Sequence, residues 1–437
     1  MTETFQGEVR LETDGAAWDA FVAVHPSATA YHRWAWREVF GGVFGHEPLY
    51  LGAHDASGLV GVLPLVGFRS RLFGRFLCSL PFVNYGGMLV RLASTVHGLP
   101  STGECLASTV HGVPSIGGRL PSTVYGQRST GEGRQRSAVD GPRLTEDGLR
   151  SAVDGQRLAE NGSRSAADGQ RLAEDGSRSP VDVHGVPAAL MARAELLARE
   201  RDAAHVELRH IDRHLASAPV RQHKVTMWLT LATDEAAQWK ALDNKVRNQV
   251  RKAEKSELTA VTGGADLLAD FYPVFAETMR DLGTPVYPQR FFRAVMAACD
   301  AAARVHIVRL NGRPLAASIT IDHAGRTEVP WAAALRDYRQ LCPNMLLYWQ
   351  MLRDTIARGV PVFDFGRSTP GEGTFHFKKQ WKAEPIPLHW EYALTGRDAL
   401  PDQSPTNAKF HLAIETWKRL PLAVANRLGP LVIGNIP

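Results

Sequence analysis

The chain has 437 residues, 44% hydrophobic and 22% charged, which is enough apolar material for about two domains of ordinary size. Fifty basic against 45 acidic residues leave a formal charge of +5, too small an excess to argue for duplex DNA binding. Four widely spaced cysteines, an N-terminus without a signal-peptide pattern and the lack of an 18-residue apolar run point to a cytoplasmic protein with reduced thiols and no zinc motif.

Taken in chain order, residues 16–24 and 31–40 read as short helices, with Trp34 and Trp36 as core residues rather than a cofactor box. Strands follow at 50–51 and 59–66 around a turn at 55–58, and RFLCSLPFVNYGG reads as another strand ending at Gly86 and Gly87. Residues 92–187 are a different polymer, with Tyr125 as their single aromatic and no lysine. LASTVHGLPSTGEC recurs twice with a 14-residue period, and a second unit, RSAVDGPRLTEDGL, recurs at the same period. Each copy carries only one or two aliphatic side chains, too few to offset about 1–2 kcal/mol of chain entropy per residue. The expectation is a disordered, low-complexity insertion in a tolerated loop.

A helix at 188–201 and the strand AHVELRHI close this first half. A similar order then repeats. VTMWLTLA is a strand, and residues 234–256 form one long helix whose apolar positions Trp239, Leu242, Val246, Val250 and Ala253 keep a helical spacing. Helices at 265–282 and 288–300 precede a meander that turns at Asn311 and Gly312 and again at Ala324 and Gly325. A helix at 344–358 is capped by Asn344, and VPVFDFG and PIPLHWEYAL are strands. The fold class is α/β with mixed sheets (α+β), as two similar modules in tandem. The expected domains are 1–91 with 188–224, the insertion at 92–187, a second module at 225–400, and an amphipathic tail at 401–437.

Unusual residues concentrate in FDFGRSTPGEGTFHFKKQW, residues 363–381. A strand there delivers Asp364, then Arg367 and Ser368 at its carboxyl end, where binding groups usually gather. Asp364 is suited to orient or deprotonate an attacking amine, and Arg367 to clamp an anionic group bidentately; alternatively the two pair with each other and fix the loop. If the segment around Lys378 is a strand, Lys378 and Lys379 point to opposite sides, and Lys378 is the one assigned to the site. His376, between Phe375 and Phe377, reads as solvent-facing.

Asn248 and Arg251, with Arg247 adjacent, make either an anion-binding ridge or a solvated basic face. Asn84 and Tyr85 make either a substrate contact or a packed corner between domains, and Tyr287 in TPVYP is placed to line a cleft. The sixteen histidines show no metal-like grouping, so no metal site is expected. The tail segment LAIETWKRLPLAVANRLGPLVIGNIP either packs back on the body or touches a membrane surface peripherally.

SLPFVNYGG, KVRNQVRKAEKS, MRDLGTPVYP, NMLLYWQMLRDTIARG and FDFGRSTPGEGTFHFKKQW, in this order, resemble the FemAB-like acyltransferases of the GNAT superfamily. More narrowly, they resemble the FemAB-related proteins associated with exosortase/PEP-CTERM systems. The resemblance implies two GNAT-like domains and transfer of an acyl or aminoacyl group to an amine, in cell-envelope or exopolysaccharide biosynthesis. It places Lys378 at the lysine of an aromatic-x-F-K-x-x-aromatic motif with Phe375, Phe377 and Trp381, as a cation for a developing oxyanion or a substrate anion. The implied acceptor is a small-molecule or lipid-linked envelope precursor, handled in the cytoplasm or at the inner face of the membrane. No bound cofactor is expected; the co-substrate is acyl-CoA or aminoacyl-tRNA. The chain departs from the pattern in lacking a coiled-coil arm and a Q/R-x-x-G-x-G/A loop. RDYRQLCPN stands at that place, where Arg336, Arg339 and a helix N-terminus can meet an anionic donor. The alternative is a non-catalytic GNAT-like scaffold of an export system.

Overall fold

A computed structural model describes residues 5–70, 73–91, 185–396, 399–401 and 408–436, and structural statements below concern these. The repeat expected to be disordered lies, from residue 92 to 184, outside the described residues.

The first module begins with β1 (Glu8–Leu11) and α1 (Gly15–Val24). Asp14 caps α1 by accepting from the Ala16 and Ala17 amides at 2.9 and 3.0 Å, a contribution of about 1 kcal/mol. The helix expected at 31–40 is instead a 3-10 turn at Ala30–His32 followed by α2 (Trp36–Phe44), which ends at Gly45 with φ 70°. Trp36 is fully buried and Trp34 packs edge-on against Tyr50, so both belong to the core. Next come β2 (Glu47–Asp55), β3 (Gly58–Ser70), β4 (Gly74–Cys78) and β5 (Leu89–Val90). The expected strand over RFLCSLPFVNYGG therefore stops at Cys78. From Ser79 the chain becomes a buried loop in which Leu80 and Phe82 take positive φ, a conformation no strand allows. Helix α3 (Val186–Glu200) starts two residues ahead of expectation, with Pro187 in its first turn, and leads to β6 (His205–His210) and β7 (Val220–Arg221).

The second module opens with β8 (Val225–Thr230). The single long helix expected at 234–256 is broken into α4 (Glu235–Ala241) and α5 (Asn244–Lys255). Leu242 turns extended (ψ 148°) to bury its side chain, and Arg247 reaches back to the carbonyls of Trp239 and Lys240 at the end of α4, at 3.5 and 3.2 Å. Then follow β9 (Thr259–Gly263), α6 (Leu268–Leu282), α7 (Gln289–Cys299), β10 (Ala303–Leu310), β11 (Arg313–His323) and β12 (Arg326–Ala334). All four turn residues in this meander, Asn311, Gly312, Ala324 and Gly325, have positive φ, the two-residue hairpin geometry that matches strand twist. Helix α8 (Pro343–Ala357) is capped by Cys342 rather than Asn344, because Pro343 takes the first helical position. It is followed by β13 (Val362–Asp364), α9 (Gly373–Lys379) and β14 (Glu384–Pro387).

PIPLHWEYAL is two strands in two different sheets. β14 pairs with β8, whereas β15 (His389–Leu394) pairs with β6 of the first module. The first sheet thus has the order β1-β2-β3-β4-β6-β15-β7, with β5 beside β3, and the second β14-β8-β13-β12-β11-β10-β9. Two tail helices follow, α10 (Ala408–Lys418) and α11 (Leu422–Ile433). Each sheet contains one parallel pair joined by a helix, β4 with β6 through α3 and β12 with β13 through α8. That repeated strand–helix–strand unit is the tandem arrangement expected from the sequence.

Candidate active site

The parallel pairing of β12 and β13 covers three rungs, Arg326 with Val362, Thr327 with Phe363 and Glu328 with Asp364. Beyond the last rung the strands part. β12 continues to Ala334 against β11, while Phe365 turns to Met227 and Gly366 takes φ 75°. A Cβ at Gly366 would stand 2.8 Å from both the Asn84 amide and the Val329 carbonyl, so this position requires glycine twice over. The result is a wedge whose one wall is β12 beyond its pairing with β13, and whose root is a pair of carboxylates.

Asp364 is fully buried and collects four donors. Thr226 Oγ1 donates to Oδ1 at 2.6 Å, the Gly366 amide to Oδ1 at 2.8 Å, Trp228 Nε1 to Oδ2 at 2.9 Å, and the Tyr85 hydroxyl also to Oδ2. The Asp364–Arg367 ion pair considered from the sequence does not form. Glu328 is 5% exposed and accepts from the Tyr31 hydroxyl at 2.7 Å and Asn84 Nδ2 at 2.6 Å, both on Oε1. Burial, then the charge of Asp364, push the Glu328 carboxyl up to about 7. Its half-buried strand neighbour Arg326 lies 4.7 Å from the Trp228 ring and covers the pair from one side. Asn84 and Tyr85 thus reach the second module from the first, across a tandem boundary.

Lys378 lies on α9, not on a strand, and is buried. Its Nζ donates to the carbonyls of Gly366 and Arg367, both at 2.9 Å, fixing the loop that leaves the wedge. Burial lowers this ammonium to about 8. Lys379 next to it is exposed, as is His376. Phe377 packs edge-on against Tyr348 at 5.0 Å, so it supports α8 from α9. Ser368 is buried and its backbone pairs with Val225. Tyr287 is half-buried in an aromatic cluster with Phe82, Phe275 and Phe291, and burial pushes its hydroxyl up to about 12.

The remaining sequence candidates lie elsewhere. Arg247 is committed to the α4 carbonyls and Asn244, and Arg251 bonds Asn248 at 3.3 Å and leans on Trp239, so the ridge on α5 is largely satisfied internally. Arg336 and Arg339 are exposed on the 3-10 turn before α8, where Pro343 removes one of the usual N-terminal donors. Glu328, Tyr31, Thr226 and Trp228 were not singled out from the sequence. The available signal was a carboxylate between Thr327 and Val329 in an apolar strand, and buried carboxylates are rare without a reason. A cavity of about 1050 Å³ opens between α6, α7 and the start of β10, lined by Asp266, Tyr272, Arg293 and Arg304, and none of the carboxylate-pair residues lines it. No helix among the described residues is long and apolar enough to cross a membrane.

Residues 240–379 match the family model described as an acetyltransferase (GNAT) domain, a span that contains β12, β13 and the carboxylate pair. A comparison with curated proteins finds no match. Among solved structures, FemX superimposes with a TM-score of 0.53 at 12% identity, over 88% of this chain and 96% of that one. A tandem GNAT protein from the clavulanic acid biosynthesis pathway aligns at 11% identity and a TM-score of 0.43, over 90% of this chain and 100% of that one. The C-terminal domain of a putative lysylphosphatidylglycerol synthetase from Agrobacterium fabrum aligns at 12% identity and a TM-score of 0.37, over 52% and 76%. The second half of the chain therefore matches a GNAT acetyltransferase domain, and the chain has the overall fold of FemX.

Proposed function

We propose that this acyltransferase moves an acyl or aminoacyl group to an amine, with the Glu328–Asp364 pair receiving the proton of the attacking nitrogen. An ammonium must lose a proton before its lone pair can attack a thioester or ester carbonyl. A carboxylate at about 7 accepts that proton near neutral pH, where a free carboxylate is too weak a base. The new N–C bond forms as the C–S or C–O bond to the donor breaks, and the leaving group takes up a proton. The stretch of β12 beyond its pairing with β13 supports an extended donor beside the pair, and Arg336 and Arg339 stand at the α8 N-terminus for its anionic end. Lys378 acts by holding the carbonyls of Gly366 and Arg367, and Asn84 and Tyr85 position the two carboxylates.

The observation that carries this reading is the carboxylate pair at the root of the wedge. Its test is incubation of the purified protein with labelled acyl-CoAs, aminoacyl-tRNAs and amine acceptors. Transfer by the native protein and its loss in Glu328→Gln are expected; no transfer across the panel favours the scaffold alternative.

The envelope role rests on the sequence resemblance and on the tail. Leu412 and Leu431 are 70% and 71% exposed, and Val424 and Leu428 are each 40% exposed. Lys418, Arg419 and Arg427 are exposed on or beside the same two helices. Apolar side chains beside cations suit an anionic lipid surface, where a lipid-linked acceptor would be met.

A further inference from the structure

At the β13 exit, Arg367 Nη1 and the Ser368 hydroxyl, and Nε1 of Trp390, whose ring lies 5.6 Å from Arg367, have no hydrogen-bond partner among the described residues. Buried donors in folded proteins nearly always have partners, so these call for an explanation. Arg367 lies 5.6 Å from the Trp390 ring, and its Nη1 makes no hydrogen bond to a described residue. A second guanidinium, that of buried Arg209, lies 4.5 Å from the same ring. Arg209 is already matched, through Nε at 2.8 Å and Nη2 at 2.7 Å, to Glu207 Oε1. The second oxygen of Glu207 is itself buried without a partner and accepts from none of the three. Lys224 adds a further cation, disfavoured by burial and then by the charge of Arg367, and it is tied to Thr369 at 2.6 Å. Burial and the charge of Arg209 lower Arg367 to about 10. Lys378 fixes the backbone of this arginine through its carbonyl, so the side chain starts from a set position three residues beyond Asp364.

We infer that Arg367, backed by Lys224, forms an anion site at the β13 exit, three residues on from Asp364, and recognises a phosphate or carboxylate group on the acceptor. This rests on the acyltransferase reading and deepens it by naming the substrate class: an amine that carries a nearby anionic group. Arg367 supplies a planar fork suited to either anion, and the wedge root places the amine within the same loop system.

The test needs no donor, so its failure is distinct from failure of the transfer reading. Inorganic phosphate and, separately, acetate are titrated into the full chain at constant ionic strength, with thermal midpoint and tryptophan fluorescence as readouts. A saturable rise of the midpoint with one of the two anions is expected, and which one responds tells phosphate from carboxylate recognition. Arg367→Gln is expected to weaken that binding about tenfold or more, and Lys224→Gln by a smaller factor. Without added anion, Arg367→Gln is expected to keep or raise the midpoint, since it removes an unmatched buried charge; a merely structural arginine would lower it. Arg353→Gln, an exposed arginine paired with Glu235 elsewhere, serves as control and leaves the titration unchanged. No saturable response to either anion, or an equal response in Arg367→Gln, overturns the inference. If Arg367→Gln fails to fold, an undiminished response in Lys224→Gln overturns it instead.

Discussion

Glu328 and Asp364 stand opposite each other on the last paired rung of two parallel strands, and neither has a directly bonded cation among the described residues. Neighbours across a rung project to the same face, so the topology itself sets two carboxyl groups side by side. The first module has the same strand–helix–strand unit, and its last parallel rung holds Cys78 and Glu207. There the carboxylate is bonded to Arg209. One rung of a duplicated fold thus carries a bonded guanidinium, whereas on the other the Glu328 carboxyl is pushed up to about 7 by burial and the charge of Asp364.

Glu328→Gln is expected to stabilise the protein above neutral pH. The native state holds the Glu328 proton up to about 7, against an ordinary value of 4.5. Between those values the folded chain binds a proton that the unfolded chain has lost, so the native state loses stability as pH rises through the window. Glutamine keeps an Oε1 for Tyr31 and Asn84 and never ionises. Thermal midpoints should therefore match near pH 4.5 and favour the variant by about 2 °C or more at pH 8. A variant less stable than native at pH 8 contradicts the burial account.

Lys378→Met is expected to cost about 1–3 kcal/mol in urea unfolding, because two buried-loop carbonyls lose a charged donor. Lys379→Met, at an exposed site, should stay within about 0.5 kcal/mol. Equal effects of the two would remove the distinction drawn between them.

Much of this site was legible in the sequence because Asp364, Arg367 and Lys378 lie in one short segment. The alternation of VPVFDFG marked Asp364 as the end of a buried strand, and the aromatic pattern marked Lys378. The expected strand around Lys378 is a helix, since Gly373 opens a helical turn there. Lys378 is buried near the end of this helix, where its ammonium reaches the Gly366 and Arg367 carbonyls, and not through strand alternation. Beyond its place in an apolar strand, Glu328 gave no sign of its partner, which is 36 positions away and becomes adjacent only through the β12–α8–β13 crossover. The split of PIPLHWEYAL between two sheets was hidden for a similar reason. Either half reads as an ordinary strand, and Leu388, whose amide bonds the Lys224 carbonyl, does not mark the crossing. The break at Leu242 was concealed by apolar spacing that continues in phase through it.

Replacing residues 92–184 by about six Gly/Ser residues is expected to leave folding and transfer intact. Both flanks rest on one point: a Cβ at Gly61 would lie 2.7 Å from Val186 Cγ1 and 3.4 Å from the Leu89 carbonyl. A short linker therefore spans the flanks. A shortened chain that aggregates or melts well below the full chain contradicts this.

Leu428→Ser with Leu431→Ser is expected to reduce cosedimentation with vesicles containing anionic phosphatidylglycerol, without changing the thermal midpoint. Neutral phosphatidylcholine vesicles should bind the native chain weakly. Binding indifferent to both lipid charge and the double substitution would remove the membrane assignment.

The most direct test of the central claim is the pH dependence of acyl transfer in the native chain and in Glu328→Gln, measured with whichever donor and amine the panel identifies. The native rate should rise with pH along a limb near 7, and Glu328→Gln should lose about 10²–10⁴-fold in rate together with that limb while remaining folded. A folded Glu328→Gln that transfers at the native rate with the same limb would contradict the assignment of proton transfer to this pair.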